Sequence, residues 1–290
     1  MFNRLKLHFS VLYNRIVWKY KQKPIVKSID ETLDYIIEQH CSVSRYGDGE
    51  FTVMLGVNCS GYQTYNIELG ERLKEILQQP VGKHIVCLPD IFGDLSFLKE
   101  SSMKFNKGMI AGSGIKWLSL IPQDRVYYNS FFTRCYNMFA DKANCPRWFE
   151  KNKEIWEGQD VLLIEGEKSR LGVGNNLFAG ARSLQRILGP AQNAYDKYEE
   201  LYNFAIKYGE GKLILIALGM TATILAYDLA NAGFWAIDIG HIDVEYEWYI
   251  RGATEKIALD GKFVNEAPGG RDVAALNDPV YQSQIIELIY

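Results

Sequence analysis

The sequence predicts an α/β protein, a Rossmann-like and mostly parallel sheet flanked by helices, with a basic amphipathic helix ahead of it. Three observations carry that expectation. From Asp124 onward, short apolar runs alternate with helical patterns of about 10 to 14 residues, the rhythm of βαβ units. One of those runs, LILIAL at 213–218, is apolar throughout and reads as a buried strand. Of the 290 residues 48% are hydrophobic and 23% charged, an ordinary globular balance at a length that can bury about three quarters of the unfolded surface. No repeat, low-complexity tract or long linker interrupts the chain, so the expected organisation is a basic segment at 1–27 followed by one domain at 28–290.

The elements follow in order. Phe2, Leu5, Phe9, Leu12, Ile16 and Tyr20 recur at helical steps, with Arg4, Arg15, Lys19 and Lys23 on the other faces. Such a stripe either packs on the protein body or a partner, or lies on an anionic membrane. Pro24 ends it. A helix over 30–39 is expected with Ser28 or Asp30 as its cap, then a strand at 41–46 running into the polar turn GDGE. A helix at 68–78 and a strand at 84–88 come next. The alternation from Asp124 gives strands at 125–129 and 160–164, helices at 176–188 and 195–208, a strand at 213–218, a helix at 222–232 and a strand at 235–239.

Charge and cysteine content exclude several classes. Net charge is −3, yet residues 1–29 hold seven cations (Arg4, Lys6, Arg15, Lys19, Lys21, Lys23 and Lys27) and no acid, which leaves an acidic body. A general nucleic-acid binder would present the opposite surface. Five widely spaced cysteines with no CxxC pair and no signal peptide fit a reducing cytosol. The uncharged stretch 213–227 is 15 residues long and too short to cross a bilayer, which takes about 20 residues.

In a parallel sheet ligands sit beyond the carboxyl ends of the strands, which directs attention to four loops. In RYGDGE (45–50), Asp48 and Glu50 can face one hard divalent cation, Mg2+ or Mn2+, while Asp-Gly is also an ordinary turn. In EGEKSRLGVGN (165–175), Glu165 and Glu167 precede Lys168, Arg170, Gly172, Gly174 and Asn175, cations and amides suited to a diphosphate. A solvated, salt-bridged loop is the alternative, and neither Walker A nor GxGxxG spacing is met. In LGMTAT (218–223), Gly219, Thr221 and Thr223 resemble the first turn of a nucleotide-binding unit, or a helix start capped by Thr221. In DIGHIDVEYEWY (238–249), Asp238, His241, Asp243 and Glu245 offer metal ligands or a general base. Together the loops supply what transfer from a nucleotide-diphosphate donor needs.

Five blocks, SRYGDGEF (44–51), LLIEGEKSRLGVGNNLF (162–178), PAQNAYDKYEEL (190–201), LIALGMTATILAYDLA (215–230) and IDIGHIDVEYEWYIRG (237–252), resemble the GT-D glycosyltransferases. That family is known from bacterial adhesin-glycosylation and surface-polysaccharide clusters, and the resemblance spans about 28–272. It implies a UDP-sugar donor, typically UDP-glucose, and a metal held by a DxE motif that matches Asp48 and Glu50. It also implies Arg45 beside the donor, with the 165–175 loop and Asn193 along the cleft; Gly47, Gly219 and Thr221, in the strand-end turns, are further candidate substrate contacts. Met220 stands where the family commonly has proline.

The expected activity is therefore metal-dependent transfer of a hexose, most simply glucose, to a protein-linked or lipid-linked glycan. Asp48, Glu50 and His241 would be metal ligands, Lys168 and Arg170 would hold the diphosphate, and Asp243 or Glu245 would be the base. The alternatives are a nucleotide-sugar hydrolase or phosphotransferase, and a non-catalytic nucleotide-sugar-binding scaffold. A cytoplasmic protein is expected, touching the inner membrane face through residues 1–23, and a homo-oligomer is compatible with the sequence.

Overall fold

The computed structural model describes residue 14 and residues 16–58, 63–79 and 81–290. Residues 1–13 and 15, which hold most of the expected basic helix, and Cys59 lie outside the described residues.

Nine strands form one sheet in the order β1-β4-β3-β2-β8-β7-β5-β6-β9, and all eight pairings are parallel. The strands are β1 (Ile25–Val26), β2 (Ser42–Arg45), β3 (His84–Leu88), β4 (Val126–Asn129), β5 (Asp160–Gly166), β6 (Ser183–Gly189), β7 (Leu213–Ala217), β8 (Trp235–Asp238) and β9 (Ile285–Leu288). Every carboxyl end consequently faces the same edge, where the four loops gather.

The middle strands show why the sheet is buried. In β5, Val161 and Leu163 enter one core while Leu162 and Ile164 enter the other; in β7, Leu213 and Leu215 part from Ile214 and Ile216 in the same way. Period-two alternation in a run apolar on both faces thus fills two layers at once.

Helix α1 (Ile29–Gln39) starts at Ser28, whose side chain accepts from the Glu31 amide while Glu31 reaches back to the Ser28 amide, a complete capping box. The expected turn GDGE instead opens α2 (Asp48–Met54), with Gly47 as N-cap and its amide donating to Glu50 Oε2 at 2.7 Å. Further on lie α3 (Ile67–Gln78), α4 (Glu100–Met109), α5 (Ile115–Leu120), α6 (Cys145–Trp156), α7 (Tyr198–Gly209), α8 (Met220–Asn231), α9 (Ile242–Ile250) and α10 (Pro279–Gln284). Helix α8 is buried almost all round because it packs on β2 and β8 and is covered by α3 and α7.

One expected element is of the wrong type. The helix at 176–188 is in fact a turn region followed by β6, which pairs with β5 from Asp160–Ser183 to Gly166–Gly189. Gly180 breaks the helical run, and two strand neighbours give the backbone better-paired partners than an isolated helix would. The packed face of the basic segment also differs from the expected stripe. Trp18, off the stripe, stacks on Phe92 with centroids 6.3 Å apart, while Ile16 and Tyr20 are 54% and 86% exposed. Cys41, Cys87, Cys135 and Cys145 are buried free thiols, and among the described residues no helix is long and apolar enough to cross a membrane.

Candidate functional site

The ends of β2, β3, β4 and β8 build one charged group. Arg45 leaves β2 with Nη1 donating to the Ser130 carbonyl at 3.3 Å and to Thr133 Oγ1, and its Nε lies 3.4 Å from Asp238 Oδ1. Gly240 makes room for it: φ is +45° there, and a Cβ would collide with the guanidinium. Asp238 accepts the Gly240 amide at 3.0 Å, and its burial raises its pKa against the pull of Arg45. Asp48 is exposed and Glu50 half-buried in the first turn of α2. Burial first, then the Asp238 and Asp48 carboxylates, push Glu50 up to about 7. Negative charge is in excess at this point.

Arg134, in the loop after β4, was not singled out by sequence because it belongs to no motif. Its Nη2 pairs with Glu266 Oε1 at 2.6 Å and lies 3.0 Å from His241 Nδ1, and it acts electrostatically on Asp48 and Glu245. Burial pushes Glu266 up, but Arg134 and then His241 outweigh it and hold the carboxyl well below its usual range. His241 is lowered to about 3, first by burial and then by Arg134. Among the described residues no group of three or more His, Cys, Asp or Glu is gathered to hold a metal ion, so His241 does not join Asp48 and Glu50.

Asp90 is the second residue that sequence reasoning passed over. The register that pairs Arg45 with Cys87 delivers it to the carboxyl end of β3, on the edge where β2 ends. It is half-buried, burial raises its pKa, and it makes no hydrogen bond or ion pair with a described residue. An uncompensated carboxylate in such a place is a functional-site signal.

The remaining expected site residues form a different group, and most are engaged in structure. Glu165 is fully buried in β5, accepts the Leu171 amide at 2.7 Å and pairs with Arg186 Nη1. Arg170, 8% exposed with φ +50°, donates to the Gly261 carbonyl at 2.8 Å and does not offer itself to a diphosphate. Asp243 accepts the Gly172 amide at 2.7 Å and Asn175 Nδ2 at 2.8 Å and pairs with Lys262 at 2.6 Å. Gly172 must be glycine, since φ is +76° and a Cβ would lie 2.6 Å from Phe178. Glu245 accepts the Tyr136 and Asn137 amides at 3.1 and 2.7 Å. Both acids are buried in α9, where the sequence predicts a loop, and each already accepts backbone amides.

Asn193, in the left-handed conformation, accepts the Thr64 amide at 2.8 Å and ties the loop after β6 to the segment before α3. Gly219, with φ +57°, is the N-cap of α8 in place of the expected Thr221, whose buried Oγ1 has no hydrogen-bond partner among the described residues. Gly174 and Lys168 are exposed, Lys168 in a separate cleft on the β5 side.

Known proteins share this architecture. The family model for the glycosyltransferase GT-D fold matches residues 43–267. A probable glycosyl transferase, Gly, of Streptococcus gordonii is 39% identical over 90% of this chain, and the glycosyltransferase GlyD of Streptococcus pneumoniae is 39% identical over 92%. The chain spans 38% and 33% of those relatives' own lengths. A glycosyltransferase structure from Streptococcus sanguinis is 37% identical, with a TM-score of 0.89 over 92% of this chain and 100% of that one. A further structure, described as a highly conserved domain with a distinct glycosyltransferase fold, is 38% identical with a TM-score of 0.90 over 96% and 100%. With a family model over most of its length and the same parallel sheet in its solved relatives, this chain belongs to the GT-D-fold glycosyltransferases.

Proposed function

We propose that the protein transfers a hexose, glucose in the first instance, from a UDP-sugar to a glycan acceptor in the synthesis of a surface glycoprotein or polysaccharide. The supporting observation is the Asp48–Glu50 pair in the first turn of α2, at the carboxyl edge of the sheet, where Arg134 acts electrostatically on Asp48. The pair fits a hard divalent cation, Mn2+ or Mg2+: two carboxylates from one turn leave most of the coordination sphere to water and to diphosphate oxygens, as such ions prefer. Burial, and after it the Asp238 and Asp48 carboxylates, raise Glu50, and a bound cation would offset both. When bound, the ion would stabilise charge on the departing diphosphate.

The chain's own residues supply the rest. We assign Arg45 and Arg134 to the diphosphate: both are cations at this edge of the sheet, and a guanidinium matches such an anion bidentately. In an inverting displacement the bond from the sugar carbon to the diphosphate breaks as the acceptor oxygen attacks, and the hydroxyl proton needs a base. Asp90 is our assignment for that base, since Asp243 and Glu245 already accept backbone amides. The exposed Ile16 and Tyr20 beside Lys19 and Lys21 support peripheral membrane contact through residues 1–23. Deleting those residues should abolish sedimentation with anionic vesicles, and unchanged sedimentation refutes the contact.

The test is calorimetric titration of UDP-glucose and UDP, with Mn2+ and with chelator, into the wild type and Asp48→Ala. Metal-dependent binding in the wild type, weakened about 100-fold or more in the variant, is expected. Metal-independent binding, or equal binding by both proteins, refutes the metal assignment. Product analysis then separates transfer from hydrolysis.

A further inference from the structure

A second cleft opens on the same edge of the sheet, beyond the ends of β5, β6 and β9. Its volume is about 540 Å³, and its lining includes Glu167, Lys168, Gln192, Phe263, Arg271 and Tyr290. Its walls are fixed to one another. The Glu167 amide donates to the Gly189 carbonyl at 2.9 Å and the Phe263 amide to the Lys168 carbonyl at 2.9 Å, joining three separate segments. Gly166 lets the first two walls meet, for a Cβ there would press on Ala191 Cα at 3.3 Å. Beneath them the buried Glu165–Arg186 pair, with Arg186 lying over the Tyr281 ring at 4.8 Å, makes a stiff floor. The cleft is preformed.

Its chemistry is that of a site for an anion joined to a ring. Lys168 and Arg271 are exposed cations that outnumber the one acid of the lining, Glu167, and Tyr290 offers an exposed ring of the kind on which sugar rings stack. Strands β8 and β7 separate β2 from β5, so at one strand spacing per step the Lys168 loop begins about 14 Å from the Asp48 loop. A diphosphate bound at Asp48 does not extend that far, and uridine carries no charge that would use two cations. A second phosphate would.

We propose that this cleft is an acceptor subsite and that it takes a phosphate-bearing sugar. The inference rests on the glycosyl-transfer reading above. An acceptor held there by its sugar phosphate lies along the sheet edge, its far end reaching toward the Asp48 side.

The test titrates N-acetylglucosamine 1-phosphate, free N-acetylglucosamine and inorganic phosphate into protein saturated with UDP and Mn2+. The sugar phosphate should bind the loaded protein more tightly than either fragment. Lys168→Ala with Arg271→Ala should weaken it about tenfold or more without changing UDP affinity. Displacement of UDP by the sugar phosphate, or loss of UDP affinity in the double variant, would assign the cleft to the donor and overturn the proposal. Inorganic phosphate binding as tightly as the sugar phosphate overturns the sugar part. Absence of sugar phosphate binding while UDP binds rejects the subsite and leaves the transfer reading standing. If UDP itself fails to bind, the transfer reading fails, and sugar phosphate binding lost in the double variant still identifies the cleft as its site.

Discussion

The two halves of the sheet's carboxyl edge are both dense in charge, and they differ in whether that charge is matched. On the β5 side every buried acid has its partners: Glu165 has Arg186 and an amide, while Asp243 and Glu247 share Lys262 and Asn175. On the β2 side Glu50 accepts one amide and is raised, and Asp90 is half-buried with no partner among the described residues. Matched buried charge fixes loops in place, whereas an unmatched carboxylate is an unfinished site that a cation or a proton completes.

The largest effect expected from this contrast is on stability. Arg186→Ala would strand the fully buried Glu165 carboxylate and cost about 3–5 kcal/mol, read by urea unfolding. A loss below about 1 kcal/mol would show that the matched side is not structural in the sense argued.

His84 tests the floor beneath β2. Its Nε2 lies 2.8 Å from Ser44 Oγ, and burial lowers its pKa from 6.5 to about 4. The unfolded chain therefore binds more protons than the native one between those values, and stability rises with pH across that window. Acidification from pH 6.5 to 4 should remove about 3 kcal/mol through this group, and His84→Gln should flatten that limb. An unchanged limb would place the acid sensitivity elsewhere.

Asp90→Asn should slow turnover of UDP-glucose, as transfer or as hydrolysis to UDP, by about 100-fold with donor affinity intact. Wild-type turnover in the variant removes Asp90 from the chemistry. The smallest effect separates the two halves directly. Arg170→Ala should cost about 1–2 kcal/mol through the lost Gly261 contact and leave UDP affinity in Mn2+ unchanged. A fall in UDP affinity would return Arg170 to the donor site.

Much of the architecture was legible because it is local. The Ser28–Glu31 capping box, the continuous apolar run of β7 and the glycines that punctuate the strand-end loops are all written in adjacent residues. The segment 176–188 misled because its apolar spacing suits a helix, and only the neighbouring β5 and β9 make it a strand. Within the site, Asp48 and Glu50 were visible as a motif, while Arg134 and Asp90 were not, since each is one charged residue in an unremarkable stretch.

The sequence by itself determined the α/β class, the strand-end location of the loops and the carboxylate pair, because periodicity, caps and turns depend on residues within a few positions of one another. The tertiary structure alone decided which charges are matched. Glu165 meets Arg186 from 21 residues away, Asp243 meets Lys262 from 19 and Arg134 meets Glu266 from 132. Whether a carboxylate is a brace or a reactive group depends on those distant partners and on the water they exclude, neither of which a local pattern can encode.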